Sequence, residues 1–367
     1  GKTRFPRRDF TMKLNRTSPL LFSHFAAFLL LIFFAASTTT AAQWRKQTIE
    51  TKASLRGLSV VSEKVIWASG TGGTFLKTVD GGKTWTVGKV PDADKLDFRD
   101  VEAFDANTAY LLSIGNGESS RIYKTVDGGA TWKLQFKNTD EKAFFDAFAF
   151  WDSKNGVAMS DPVNGEYVLY ETFDGETWEP ITSRIDIGYN PRPQAKNGEA
   201  AFAASGTCLL TVGKEKVFLV TGGSAARVFR AEHRGFKWFV ADTPIVKGTA
   251  GSGIFSIAMF DAKRGVIVGG NYEKPEEINN NLAFTNDGGK SWILGKGLNG
   301  YRSGVDFIDK KTIIAVGSSG SDLSTDGGKT WKNLDKENYN AVQAKGAKSI
   351  WAVGANGLVA KFTVDRK

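Results

Sequence analysis

Thr78-Val79-Asp80-Gly81-Gly82-Lys83-Thr84-Trp85 is an eight-residue stretch that recurs along the chain. Three other copies keep its pattern, one copy is shortened, and one keeps its length, a glycine and the tryptophan. These copies lie at 125–132, 285–292, 324–331, 172–178 and 231–238. Periods of roughly 40 to 60 residues indicate an array of similar supersecondary units, none of which can bury its apolar face alone.

The Asp-Gly-Gly core of the stretch indicates a β-hairpin, because glycine reaches positive φ without a steric penalty. The aspartate can accept hydrogen bonds from N–H groups of its own turn. A catalytic carboxylate need not be copied into every repeat, so the repeated aspartates are predicted to be structural. They are Asp80, Asp127, Asp174, Asp287 and Asp326. The tryptophan that ends each copy is expected to pack in the seam toward the neighbouring unit.

A second element, a short apolar strand containing or ending near glycine, occurs seven times. Its copies lie at 65–70, 109–115, 156–160, 207–213, 265–269, 313–317 and 350–354. The last copy is followed by no turn with a tryptophan, whereas Trp44 stands before the first complete unit. We therefore predict an all-β fold, a single seven-bladed β-propeller over 43–367, whose N-terminal strand closes the last blade. Radial closure leaves only short, protected strand edges.

Residues 1–42 have the layout of a leader. A basic region begins at Met12, the predicted native start, and an apolar run over 25–36 precedes small residues that end at Ala42. This order predicts a secretory signal peptide cleaved near Ala42, and hence a periplasmic or secreted protein with no membrane span after cleavage. An uncleaved membrane anchor is the alternative. Arg7-Arg8 leaves twin-arginine export open beside the general secretory route.

Composition argues against several classes of function. The net charge is +9, but residues 1–42 hold six basic residues and one acidic residue, so residues 43–367 carry about +4. This mild positive charge does not indicate a nucleic-acid partner. Cys208 is the only cysteine and cannot form an internal disulfide. His233 is the only histidine after the leader. A catalytic triad therefore lacks a plausible base, and a zinc site lacks ligands. We predict no cofactor, no metal and a monomer.

The mouth of the central channel is where we expect a ligand, because ring-shaped folds commonly bind there. Residues just before each innermost strand should project into it: Arg56, Arg99, Asp146, Glu199, Phe255, Arg302 and Asn340, with Tyr301 beside them. Guanidinium groups bind carboxylate, sulfate or phosphate bidentately, so the predicted ligand is an anionic group of a protein partner, a glycan or a small molecule. A salt-bridged plug that closes the channel is the alternative.

The turn copies, together with strands such as Trp351-Ala352-Val353-Gly354, resemble the photosystem II stability/assembly factor type of propeller. Secreted bacterial relatives of that type are often called BNR-repeat, or Asp-box, proteins. The resemblance covers about 43–367. It implies a non-enzymatic, extracytoplasmic scaffold for binding or assembly of a protein partner.

Asp-box repeats also occur in sialidases, so a secreted glycosidase is the alternative function. In that interpretation Asp146, Asp161 and Glu199 are the candidate catalytic carboxylates, and Arg56, Arg99 and Arg302 could form an arginine triad. The Phe/Tyr-Arg-Ile-Pro sequence that normally supplies the first arginine is absent. The separation between carboxylates decides whether such chemistry is feasible.

Overall fold

The computed structural model describes residues 42–181, 192–235 and 237–363. Its strands form seven antiparallel sheets, which confirms the predicted all-β, seven-bladed propeller. A single 3-10 turn, Gly117–Ser119, interrupts the strands of the described residues. Within these three ranges, no helix has the length and apolar character needed to cross a membrane. The predicted leader lies outside the described residues, apart from Ala42.

The strands of the first half are β1 Gln43–Lys46, β2 Leu55–Val60, β3 Ile66–Gly70, β4 Thr74–Thr78, β5 Thr86–Lys89, β6 Phe98–Ala103, β7 Ala109–Ser113, β8 Arg121–Thr125, β9 Lys133–Lys137, β10 Phe145–Asp152, β11 Asn155–Val163, β12 Glu166–Thr172 and β13 Glu179–Pro180.

Those of the middle are β14 Glu199–Ala200, β15 Leu209–Val212, β16 Lys216–Val220, β17 Gly222–Gly223, β18 Arg227–Glu232, β19 Lys237–Asp242, β20 Ser252–Met259, β21 Gly265–Asn271, β22 Leu282–Thr285 and β23 Ile293–Leu294. The last are β24 Gly304–Phe307, β25 Ile313–Gly317, β26 Gly320–Ser324, β27 Lys332–Asp335, β28 Tyr339–Ala344, β29 Ile350–Gly354 and β30 Val359–Thr363.

The blades close into a ring through their first strands. Each first strand contacts the first strand of the next blade, in the order β2, β6, β10, β15, β20, β24, β28 and back to β2. The seventh sheet has the strand order β1-β30-β29-β28, so the N-terminal strand is the outer strand of the last blade. Trp44 lies opposite Phe362 in that pairing. The predicted closure is confirmed.

The second strand of a blade is covered on both faces. Every residue of β3, β7, β25 and β29 is buried. A strand buried on both faces carries a continuous apolar run, without the alternation of a half-exposed strand. This burial explains why the apolar strands are as recognisable in the sequence as the turns.

The repeated turns connect the third and fourth strands and hold their aspartates by local hydrogen bonds. Asp127 accepts hydrogen bonds from the Thr125 hydroxyl at 2.8 Å and the Thr131 N–H at 2.9 Å. The Thr131 hydroxyl also donates to Asp127. This bond has the largest effect, and together these hydrogen bonds lower the pKa of Asp127 to about 2. The other four aspartates accept equivalent bonds within their turns. Gly129 has φ 89°, and a Cβ there would lie 2.7 Å from the Phe75 ring of the preceding blade.

The tryptophans that follow the turns pack toward the preceding blade. Trp132, from the second blade, contacts Phe75 and Trp67 of the first blade edge-on, with ring centroids 5.2 and 6.4 Å apart. Trp85, from the first blade, meets Trp351 of the seventh blade at 5.5 Å. Offset and edge-on aromatic pairs add stabilisation beyond the area they bury. The seam between blades is therefore formed in part by the repeated motif itself.

The fourth blade departs from the sequence prediction. The sequence groups the stretch 207–213 with the repeated apolar strands, which are second strands in the other blades, but here β15 is the first strand and β16 the second. The chain just before β15 contributes β14, which pairs with β17, and β17 pairs with β20 of the fifth blade. Residues 199–223 thus include an extension of the fifth sheet that no repeat predicts. Glu199 consequently lies on that extension, not before an innermost strand.

Candidate functional site

Five of the residues predicted at the channel mouth occupy the same structural position. The register between the first and second strands shifts by one residue in five blades. The extra residues are Arg56, Arg99, Asp146, Phe255 and Asn340. A β-bulge of this kind redirects the side chain of the extra residue and bends the strand, and it is common next to binding sites. The bulges explain why a regular sheet can present a polar side chain at the ring axis.

A cavity of about 650 Å³ lies at this level, and we call it the mouth cavity. Its lining includes Arg56, Arg99, Asp146, Asp161 and Tyr301, which come from four different blades. Residues of the fifth and seventh blades and the chain over 200–204 complete the wall. Because nearly every blade contributes to it, the cavity lies on the axis of the ring.

Two arginines lie side by side in the mouth cavity. Arg99 donates from Nε to Asp97 at 2.7 Å and from NH1 to the Ala203 carbonyl at 3.1 Å. Arg56 donates from NH1 to the Ala204 carbonyl at 3.2 Å and forms no ion pair with the described residues. Burial, and then the charge of Arg99, lower the pKa of Arg56. Arg56 is therefore a partly buried cation whose remaining N–H donors suit an anion.

The chain over 203–204 contacts both arginines through its carbonyl groups, so it fills part of the opening. The predicted salt-bridged plug was an alternative in which arginines and carboxylates of the mouth neutralise one another. The only ion pair that Arg56 or Arg99 makes with the described residues is the one between Arg99 and Asp97. The cavity that remains is large enough for several ligand atoms.

Asp146 and Asp161 form a carboxyl pair beside the arginines. Asp146 is buried, and its Oδ2 has no donor partner among the described residues. Asp161 Oδ1 accepts the N–H of Ala201 at 2.8 Å. Burial raises the pKa of Asp161 to about 6, while burial and the neighbouring Asp161 carboxylate raise the pKa of Asp146. Two adjacent buried carboxyl groups cannot both ionise easily, so they hydrogen-bond through a shared proton.

This pair predicts a pH-dependent stability. An acid whose folded-state pKa is raised holds its proton more tightly folded than unfolded, so stability falls as pH rises from about 4 through about 6. Asp161→Asn removes one charge and supplies an amide donor. We expect this variant to be more stable than wild type at pH 8 by about 1–3 kcal/mol, and to keep only about half of that advantage at pH 5, midway between the unfolded and folded pKa values.

Urea unfolding at both pH values measures the difference. Asp94→Asn is a matched control, since Asp94 is an exposed carboxylate whose ion-pair partner, Lys89, is also exposed. Its difference from wild type should stay near zero at both pH values. A gain for Asp161→Asn that is equal at pH 5 and pH 8 would contradict the shared proton.

An aromatic wall faces these charges. Phe202 stacks on Phe255 with ring centroids 3.9 Å apart, and Tyr301 meets Phe255 edge-on at 4.7 Å. Tyr272 lies edge-on to both phenylalanines. The mouth cavity therefore has an apolar side and a charged side, an arrangement typical of sites that bind a ligand with one ionised group.

Two of the predicted mouth residues lie away from this cavity. The Arg302 side chain is fully buried and pairs with Asp322, with Nε 2.7 Å from Oδ2. Glu199 is buried and forms an ion pair with Arg227. Neither belongs to the lining of the mouth cavity. Their partners follow them in the chain by 20 and 28 residues, at positions outside the repeated turns.

Sequence reasoning missed Phe202, Tyr272 and the carbonyl groups of 203–204. These residues lie in segments that the repeats do not contain, so no register could place them. One signal was available for Tyr272, because it lies in the stretch 270–281, which exceeds the length of the repeat. Among the described residues, no group of three or more His, Cys, Asp or Glu side chains could hold a metal ion.

Comparisons with known proteins agree with this architecture. The family model of photosynthesis system II assembly factor YCF48 matches residues 36–133. A solved structure of YCF48 bound to a D1 peptide is 15% identical, covers 88% of this chain and 96% of its own, and has a TM-score of 0.62. YCF48 from Cyanidioschyzon merolae is 18% identical, covers 88% of this chain and 99% of its own, and has a TM-score of 0.60.

The WD40 β-propeller domain of Doa1 is 11% identical, covers 89% of this chain and 98% of its own, and also has a TM-score of 0.60. A search of curated proteins found no match. At these identities the structural likeness shows the fold. The chain is thus a β-propeller that is similar to YCF48, in sequence over residues 36–133, which the BNR family model matches, and in fold over most of its length.

Proposed function

We propose that the protein is a non-enzymatic, extracytoplasmic scaffold that binds a protein partner, with an anionic group of the partner held in the mouth cavity. The observation that carries the proposal is Arg56, a partly buried guanidinium that faces the cavity without an ion pair to any described residue. The YCF48 structure that holds a D1 peptide supports a peptide as the partner's binding element. The signal-peptide layout of residues 1–42 supports the extracytoplasmic location.

The mouth cavity suits a peptide carboxylate. Arg56 and Arg99 would donate to its oxygens, and the aromatic wall of Phe202, Phe255 and Tyr272 would contact an apolar side chain. Hydrogen bonds to charged groups contribute about 1.5–3 kcal/mol each, so loss of one arginine contact weakens binding by roughly 10- to 150-fold.

We expect Arg56→Ala to bind a carboxylate-bearing peptide at least tenfold more weakly than wild type, because it removes this unpaired cation. The D1 peptide of the YCF48 complex, labelled with fluorescein, is the first probe, and fluorescence polarisation measures the Kd. Arg99→Ala should give a smaller loss, since Asp97 already neutralises Arg99. Arg45→Ala, which removes an exposed arginine of β1, is the matched control and should stay within twofold.

A thermal-shift screen with acidic sugars and inorganic sulfate separates a peptide from other anions. A rise in Tm with a sugar or sulfate that disappears in Arg56→Ala, without binding of the peptide, would identify the ligand as a glycan or a small anion. Equal Kd values for the peptide in wild type and Arg56→Ala would contradict the proposed role of the mouth cavity.

The glycosidase alternative meets two geometric difficulties. Asp146 and Asp161 are in direct contact, whereas retaining and inverting enzymes separate their carboxyl groups by about 5–5.5 Å and 6.5–9.5 Å. Glu199, the third candidate, is paired with Arg227. Turnover of a fluorogenic glycoside by wild type that is lost in Asp161→Asn would instead favour the enzyme.

A further inference from the structure

A second concave surface lies between the fifth and sixth blades, on β22, β23 and the turn that follows β26. It encloses about 450 Å³, and we call it the blade 5–6 groove. It shares no lining residue with the mouth cavity, so the proposed function does not account for it.

The floor of the groove is aromatic and tightly fixed. A Cβ at Gly328 would lie 2.4 Å from the Phe284 ring, and a Cβ at Gly295 would lie 2.6 Å from the other side of the same ring. Gly328 also has φ 89°. The two glycines therefore allow the backbone to approach Phe284 closely. Phe260 and Phe307 form the adjoining wall, with ring centroids 5.5 Å apart.

The edge of the groove exposes apolar side chains to solvent. Ile293 is 63% exposed and Leu294 is 39% exposed, although both belong to a strand. That strand, β23, is the last of its sheet and pairs only with β22. Apolar side chains grouped around a concavity, on an unpaired strand edge, are typical of a peptide-binding surface.

The charges of the groove have one sign. Arg264, Lys296, Lys310 and Lys329 line it, and no aspartate or glutamate does. Arg264 pairs with Asp261 and covers the Phe260 ring at 4.6 Å. The three lysines are exposed and form no ion pair with the described residues. Such a field attracts anions and disfavours cationic partners.

We propose that the blade 5–6 groove binds an acidic peptide segment that places a large apolar side chain against Phe284. Charge complementarity selects the acidic segment, and the concave aromatic floor selects a side chain that can enter. A flat anionic membrane would contact the exposed lysines and Ile293 but would leave the recessed floor unfilled. The peptide is therefore the occupant that uses all features of the groove.

The test uses a fluorescein-labelled decamer of alternating glutamate and aspartate around a central Phe-Leu pair. An amidated C-terminus denies the mouth cavity a terminal carboxylate. We expect saturable binding that weakens at least tenfold in Lys310→Glu/Lys329→Glu, and at least threefold when the peptide carries Ala-Ala at its centre. Binding should also weaken as salt rises, because exposed charges are screened.

The matched control is Lys64→Glu/Lys83→Glu. Lys83 occupies the same position in the first repeated turn as Lys329 in the last, and Lys64 is an exposed lysine in the loop beside that turn. The control makes the same change in net charge and should stay within twofold of wild type. Ile293→Ser, which leaves the charge unchanged, should weaken binding severalfold and provides a second variant at an exposed position.

Four results would overturn the proposal: no saturable binding of the decamer, equal losses in the groove and control variants, a loss found only in Arg56→Ala, or no effect of the central Ala-Ala pair. Sedimentation with vesicles of phosphatidylcholine and phosphatidylglycerol tests the membrane as the alternative occupant. Lysine-dependent binding to vesicles without binding of the decamer would assign the groove to a membrane. Because the mouth variants leave the groove intact, failure of one site is distinguishable from failure of the other.

Discussion

Deletion of residues 43–50 should destabilise the whole ring, although this segment forms only one short strand. β1 pairs along its length with β30, and the N–H of Gln47 continues the pairing to the Val359 carbonyl at 2.8 Å. Trp44 packs on Tyr339 and Phe362 of the seventh blade, with ring centroids 5.1 and 4.9 Å away. Its Nε1 donates to the Ser321 hydroxyl of the sixth blade at 2.9 Å.

The segment also reaches the first blade, because Ile49 packs against the apolar cluster that contains Leu58 and Trp351. One stretch therefore joins three blades at the point where the ring closes. Loss of a packed tryptophan alone costs about 3–5 kcal/mol. We expect the deletion to lower Tm by about 10 °C or more in differential scanning calorimetry.

Controls at Trp44 separate side-chain packing from strand pairing. Trp44→Ala should give an intermediate loss of Tm, and Trp44→Phe a smaller one, since it keeps an aromatic ring but loses the hydrogen bond to Ser321. A synthetic peptide of residues 43–50 added to the deleted protein should raise its Tm, because it can pair with the exposed edge of β30. A deletion protein that melts at the wild-type temperature would contradict the closure.

The sequence predicts the ring well because each blade repeats the same local chemistry. The turn requires glycines and an aspartate, and the second strand requires an apolar run, so both elements carry a signal that can be counted. Trp44 at one end and the missing tryptophan at the other then imply closure. The five bulged positions are also identified by aligning the repeats, but they lie within the innermost strands and not before them as predicted.

What the sequence could not provide is the structure of the segments outside the repeat. The extension formed by β14 and β17 uses two short pairs whose glycines and alanines show no periodicity. Because of this extension, Phe202 and residues 203–204 line the mouth cavity, and Glu199 forms an ion pair with Arg227. Ion pairs between strands depend on tertiary register, which local propensity does not encode.

The buried pair of Arg302 and Asp322 should be the most sensitive polar interaction of the scaffold. Both side chains are completely buried, and Arg302 NH2 lies 2.6 Å from Asp322 Oδ2. The guanidinium also donates to the Tyr301 carbonyl at 2.7 Å and to the Ser319 hydroxyl at 2.9 Å. Asp322 accepts further bonds from Asn299 and Asn333. Each partner is thus nearly saturated with hydrogen bonds.

Arg302→Met should lower the free energy of unfolding by about 3–5 kcal/mol, because it leaves the Asp322 carboxylate buried without its cation. The double variant Arg302→Met/Asp322→Leu should recover most of that loss, since a buried ion pair replaced by apolar side chains of similar volume is often neutral or stabilising. Urea unfolding of the two single variants and the double variant measures the coupling between the side chains.

The same variants test whether Arg302 acts as scaffold or as ligand. Arg302 fixes the carbonyl of Tyr301, whose side chain lines the mouth cavity, but its own side chain does not reach that cavity. In the double variant, therefore, stability should return while the Kd for the peptide probe stays within about threefold of wild type, a change below about 0.7 kcal/mol. A stable double variant that has lost binding as completely as Arg56→Ala would make Arg302 part of the binding site.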